Sequence, residues 1–125
     1  MEVSGQKAEA LDAADLSPLE ILIQLYEGAI RFLERAAVAC EEGMVDEFKE
    51  YLERGRRIIE EFQRTLDFSQ ASGVSNQLND LYGFMLDNLS QAKLTHDVQY
   101  IQQVIKNLQI LLDGWRGADT AQAEG

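Results

Sequence analysis

The sequence predicts an all-α protein, an antiparallel up-down-up-down four-helix bundle with a flexible N-terminal arm and a C-terminal tail. Three observations carry that expectation. Apolar residues recur at spacings of three and four through four separate segments, which is one face of an α-helix each time. The segments are joined by short connections, and short connections favour antiparallel neighbours. No stretch alternates apolar and polar residues long enough to compete as a strand.

The first helix announces itself at Ser17-Pro18-Leu19-Glu20. Ser17 can accept from the amide three residues on, Glu20 can reach back to the Ser17 amide, and Pro18 stands where its missing N–H costs nothing. Leu19, Leu22, Ile23, Tyr26, Ile30, Leu33, Ala37 and Cys40 then form the stripe, and Gly43 stops it. Ile21, Leu25 and Phe32 widen the apolar arc to a second face. The second helix starts near Asp46, with Val45, Phe48, Leu52, Ile59, Phe62 and Leu66 inward and Gly55 in the slot between Leu52 and Ile59. Its other face pairs Glu50 with Arg54, Glu53 with Arg57 and Glu60 with Arg64, all at i,i+4 in the favoured order.

A loop is expected over residues 68–74, and the third helix from near Ser75 with Leu78, Leu81, Met85, Leu89 and Ala92 as its stripe. Thr95-His96-Asp97 reads as a tight turn with Asp97 as N-cap. The fourth helix carries Val98, Ile101, Val104 or Ile105, Leu108, Leu112 and Trp115. Residues 1–15 are read as the flexible arm, 16–116 as the bundle, and 117–125 as a disordered tail.

Composition narrows the function. At 125 residues, 46% hydrophobic and 26% charged, the chain can build one core without disulfides or a structural metal. Eleven Lys and Arg against 22 Asp and Glu give a formal net charge of -11, which argues against nucleic acid and against anionic lipid as partners. No apolar run approaches the ~18 residues needed to cross a bilayer, so no membrane insertion is expected. An acidic N-terminus without a signal pattern, and a single cysteine, point to the cytoplasm.

The same scarcity argues against catalysis. A di-iron bundle needs Glu-x-x-His pairs, yet the one histidine, His96, has Lys93 three residues before it. A histidine phosphotransfer bundle needs its histidine exposed within a helix, whereas His96 falls in the expected turn. Cys40 lies on the inward stripe and reads as a small hydrophobe. No cofactor is implied.

What exceeds the needs of a core is apolar surface. Ile21, Leu25, Tyr51, Ile58, Tyr82, Leu86, Tyr100 and Ile110 sit off the main stripes. They either broaden the core or line an exposed groove, which on a bundle suits an amphipathic partner segment. A module burying this face against a second copy, as a weak dimer rather than a monomer, is a further alternative. Gly28, Gly55, Gly83 and Gly114 fall inside expected helices. Each is tolerable where backbones pass close or where a partner lies flat.

The residues also resemble a known family. Ser17-Pro18 followed by Leu25-Tyr26-Glu27-Gly28-Ala29-Ile30 is similar to the opening helix of the flagellar secretion chaperone family, FliS, with Glu27 where that pattern has Asp. Arg57 to Phe62 with Thr65-Leu66-Asp67, and Leu78-Asn79-Asp80-Leu81-Tyr82, resemble its second and third helices, and Trp115 stands near where its last helix ends. The resemblance implies a cytoplasmic, non-enzymatic chaperone that binds the disordered C-terminal segment of flagellin. It would prevent early polymerisation and deliver flagellin to the flagellar type III export apparatus, with that apparatus or regulators as further partners. Ile21, Leu25, Tyr51, Ile58, Tyr82, Leu86 and Ile110 are the expected contacts, and Tyr26, Ile30 and Trp115 the expected core. Residues 1–15 lack the aromatic residue that such chaperones carry ahead of the Ser-Pro start.

Overall fold

The computed structural model describes residues 16–69 and 73–124, with side chains to residue 121. The expected N-terminal arm, residues 1–15, lies outside the described residues. Four helices follow one another: α1 (Pro18–Glu41), α2 (Val45–Arg64), α3 (Val74–Thr95) and α4 (Val98–Glu124). Each runs about 30–40 Å at ~1.5 Å per residue. The links at 42–44 and 96–97 are far too short to cross that length, so each forces a reversal. Packing joins α1 to α2, α2 to α3, α3 to α4 and α4 back to α1, which closes a square around one core.

The capping box of α1 forms as expected. Glu20 N donates to Ser17 Oγ at 3.1 Å, and Ser17 N donates to Glu20 Oε1 at 2.9 Å. At the other end Gly43 has φ 73°, Met44 N donates to Ala39 O at 2.9 Å and Gly43 N to Cys40 O at 3.3 Å. That is a Schellman closure, which a glycine reaches without strain. The turn before α4 is made by His96, at φ 57°, and by Asp97, whose Oδ1 accepts from Gln99 N at 2.9 Å.

The core collects Tyr26, Leu33, Phe48, Ile59, Tyr82, Met85, Leu89, Ile101, Val104 and Leu108, all fully or almost fully buried. Tyr26 and Ile30 belong to it as expected, whereas Trp115 is only half-buried at its margin. Cys40, expected on the buried stripe, is also only half-buried. Its thiol donates to His96 O at 3.2 Å. Val45 is 41% exposed because α2 begins there, beyond the first turn that Phe48 buries.

The largest departure from the sequence reading is at the C-terminus. Helix α4 continues to Glu124 through the segment expected to be a tail. Ala118, Ala121 and Ala123 are good helix formers, and residues 117–121 stay mostly exposed, so the extension rests on propensity more than packing.

Of the described glycines, Gly55 is the one pressed against a facing helix. A Cβ built there would stand 2.6 Å from Leu33 Cδ2 and 2.8 Å from Leu33 Cγ. The missing side chain of α2 is the space that α1 uses. At Gly83 the nearest neighbour of such a Cβ is 3.7 Å away, and at Gly114 nothing lies within 4 Å.

Candidate functional site

Along the outer seam of α1 and α2, the off-stripe apolar residues come together. Ile21, Leu25, Gly28 and Phe32 fall three or four residues apart, so they share one face of α1. Ile58 faces them from α2, its Cδ1 only 3.9 Å from where a Cβ on Gly28 would stand. Tyr51 continues the α2 side, its ring 6.1 Å from that of Phe32. Ile21 is 42% and Leu25 39% exposed, and Tyr51 and Ile58 are half-buried. A side chain at Gly28 would meet Arg31 Nη2 at 3.8 Å and Ile58 Cδ1 at 3.9 Å, so its absence leaves a notch between them in the middle of the seam.

Two arginines close the far end of the seam. Arg35 stacks over the Tyr51 ring with Cζ 4.2 Å from its centroid. Arg54 stands over Tyr51 at 5.2 Å and over Phe32 at 5.7 Å. Each guanidinium also has a carboxylate, Glu47 at 3.9 Å for Arg35 and Glu50 at 2.6 Å for Arg54. The stripe is thus apolar at the start of α1 and cation-lidded towards the start of α2. That polarity would fix the direction of a segment lying in it.

The expected contact residues do not all share this seam. Ile21, Leu25, Tyr51 and Ile58 do. Leu86 is half-buried on α3, where its carbonyl accepts from Arg56 Nη1 at 3.5 Å across the α2–α3 seam. Ile110 is 61% exposed on α4, away from the others. Tyr82 requires correction as a surface contact, because it is 2% exposed. It lies three residues before Met85 and seven before Leu89 on the inward stripe of α3, and its hydroxyl shares a hydrogen bond with that of Tyr26. Burial raises the Tyr82 pKa strongly, and the neighbouring Tyr26 adds to the rise. Burial raises that of Tyr26 too, against the Tyr82 and Trp115 contacts that lower it. Trp115 Nε1 is itself buried and makes no full hydrogen bond, so its pull on the Tyr26 oxygen is that of a nearby N–H dipole.

The surface charges also differ from the simplest pairing. Glu50–Arg54 and Glu53–Arg57 form, at 2.6 and 3.7 Å. Arg64 instead takes Glu61, and Glu60 takes Arg56 at 3.6 Å. Glu27 pairs with Arg116 of α4 at 2.6 Å rather than with Arg31 one turn away. Both residues line a recess of about 520 Å³ between α1 and α4. Sequence spacing could not find this pair, since its partners are 89 residues apart.

Among the described residues no group of three or more His, Cys, Asp and Glu side chains is placed to hold a metal. His96 is exposed and serves as the left-handed cap of α3, outside any helix interior. Burial, then Glu41 and Asp97, push the Cys40 thiol up, so it stays protonated at neutral pH. Among the described residues no helix is long and apolar enough to cross a membrane. What the described surface offers instead is the apolar stripe of Ile21, Leu25, Tyr51 and Ile58.

Known proteins share this sequence and fold. The model of the flagellar protein FliS family matches residues 4–122. The chain belongs to the FliS family. It is 33% identical over 100 residues to the flagellar secretion chaperone FliS of Campylobacter jejuni, covering 80% of this chain and 78% of that protein. It is 31% identical over 101 residues to the one from Salmonella typhimurium, with 80% and 75% covered. A crystal structure of a bacterial flagellar chaperone superposes with a TM-score of 0.78 at 25% identity, over 96% of this chain and 98% of that one. The four-helix architecture read from apolar spacing and short connections is therefore shared with a flagellar chaperone.

Proposed function

We propose that this FliS family member is a cytoplasmic, non-enzymatic export chaperone. It binds the disordered C-terminal segment of flagellin, holds it from premature polymerisation and delivers it to the flagellar type III export apparatus. The observation that carries the reading is the α1–α2 seam, where Ile21 and Leu25 stay exposed on the side of α1 that Ile58 faces. In a chain of net charge -11 such a stripe serves a partner that brings apolar residues of its own. An amphipathic segment that gains helix on docking fits a seam notched at Gly28 between Arg31 and Ile58. Folding on binding commonly buries ~1,000–3,000 Å² and costs ~2–5 kcal/mol in ordering, which leaves a complex firm in storage and releasable at export.

The test is calorimetric titration with the C-terminal segment of the same organism's flagellin at several temperatures. A one-to-one complex with a strongly negative ΔCp is expected. Ile58→Asp and Leu25→Asp should weaken it, while Ile110→Asp on the remote face of α4 should not, all three remaining helical by circular dichroism. Absence of binding by the folded protein would remove flagellin as the client. Equal loss in all three variants would remove the seam as the site.

A further inference from the structure

A second surface lies between α2 and α3, at the end of the bundle where α2 begins and α3 finishes. There a recess of about 190 Å³ is walled by Lys49 and Arg56 of α2 and by Ser90 and Lys93 of α3, with Leu52 and Leu89 among its lining. Glu53 is the one acid of the lining, and its carboxylate reaches Arg57 at 3.7 Å. Arg56 is held in place by Ser90 Oγ, which accepts from both guanidinium nitrogens at 3.3 Å, and by Glu60 at 3.6 Å. Lys49 and Lys93 form no ion pair among the described residues, although the chain carries twice as many acids as bases. Lys49 and Lys93 thus line one recess whose only acid, Glu53, is turned to Arg57.

Apolar surface flanks these cations. Val45, one turn before Lys49, is 41% exposed, and Leu94, next to Lys93, is 78% exposed. We infer that this end of the α2–α3 seam docks a partner protein through an acidic side chain seated between Lys49 and Lys93, with apolar neighbours of that side chain covering Val45 and Leu94. A freely diffusing anion is a poorer occupant. The field of a strongly acidic chain repels it within a Debye length of about 8 Å, and it brings no apolar area to compensate. A carboxylate tethered to a segment that also buries apolar surface gains both terms. This surface shares no residue with the α1–α2 seam, so it remains available while that seam is occupied.

The test uses the whole protein, isotopically labelled, titrated with three probes. One is a blocked helical peptide presenting a single Glu between two Leu residues, the second its Glu→Gln counterpart, and the third free glutarate. Amide shifts at Lys49, Ser90 and Lys93 are expected with the Glu peptide. Binding should fall about tenfold with the Gln peptide, as for loss of one charge-assisted hydrogen bond, and more with glutarate. Lys49→Glu and Lys93→Glu should each abolish the Glu-peptide shifts while leaving the thermal unfolding midpoint near that of the parent. A Lys-bearing peptide should in turn bind the doubly reversed protein better than the parent. Equal binding of the Glu and Gln peptides, glutarate binding as tight as the peptide's, or shifts confined to the α1–α2 seam would each overturn the proposal.

Discussion

Replacing Gly55 by Ala should destabilise the bundle, although glycine is the poorer helix residue. The new Cβ would stand 2.6 and 2.8 Å from Leu33 Cδ2 and Cγ, against the ~3.5–4.0 Å at which carbon atoms attract. Leu33 cannot swing away to solvent, because it is fully buried and enclosed by the core. Relief requires a strained rotamer or a shift of α1 against α2, and such overpacking costs ~1–3 kcal/mol. A shortfall near 1 Å at a branched carbon lies towards the upper part of that range. The gain in helix propensity returns ~0.5–1 kcal/mol. The net loss is about 1–2 kcal/mol, a fall in Tm of about 4–9 °C for a bundle of this size. Gly114→Ala supplies the internal control: nothing lies within 4 Å of its Cβ, so it should stabilise by up to ~1 kcal/mol. Urea and thermal unfolding by circular dichroism read both. Gly55→Ala as stable as Gly114→Ala would refute the close-approach argument. Leu33→Val should restore part of the loss in the Gly55→Ala background while destabilising the parent.

Other perturbations test the remaining supports. Ser17→Ala removes the acceptor of the α1 capping box and should cost ~1 kcal/mol, read by urea unfolding. Tyr82→Phe leaves the Tyr26 hydroxyl buried without its partner and should cost ~1–3 kcal/mol, whereas Tyr26→Phe with Tyr82→Phe should cost less than the two single changes summed. Burial raises both tyrosine pKa values above the ordinary 10.0, so both stay neutral in the fold after they would ionise in the unfolded chain. Their contribution is whole below pH 10 and is lost as pH rises from there through the folded values. The doubly Phe-substituted protein should show a flatter alkaline limb in unfolding experiments. The Ser17 hydrogen bonds lower the Glu20 pKa, so its contribution is present above the ordinary carboxylate value and fades as pH falls through the folded one. Glu20→Gln should remove that acid-side slope.

Much of the candidate seam was legible beforehand. Ile21 and Leu25 stand off the α1 stripe at i,i+4, and Tyr51 and Ile58 stand off the α2 stripe, so periodicity marked all four as surplus. The single-helix wheel failed at Tyr82. An α3 stripe broad enough to hold Leu78, Leu81 and Met85 also holds Tyr82, and its polar hydroxyl became a core residue only because Tyr26 supplies a partner across the bundle. The arginine lid on Tyr51 and Phe32 left no trace in the spacing: Arg54 reads only as the i,i+4 partner of Glu50, and no periodicity singles out Arg35.

By itself the sequence determined the four helices, their caps and turns, and the family to which they belong. These are local matters, settled by residues within a turn of one another: Ser17 with Glu20, Gly43 after Glu41, Asp97 with Gln99. Only the tertiary structure decided what each interior glycine is for. Gly55 admits Leu33 between two helices, Gly28 leaves the seam notched beside Ile58, and Gly114 meets nothing. It also decided that Glu27 reaches Arg116 rather than Arg31. A glycine's lack of a side chain, like a carboxylate's choice of cation, takes its meaning from what stands across the helix interface, and a helical period carries no information about the facing helix.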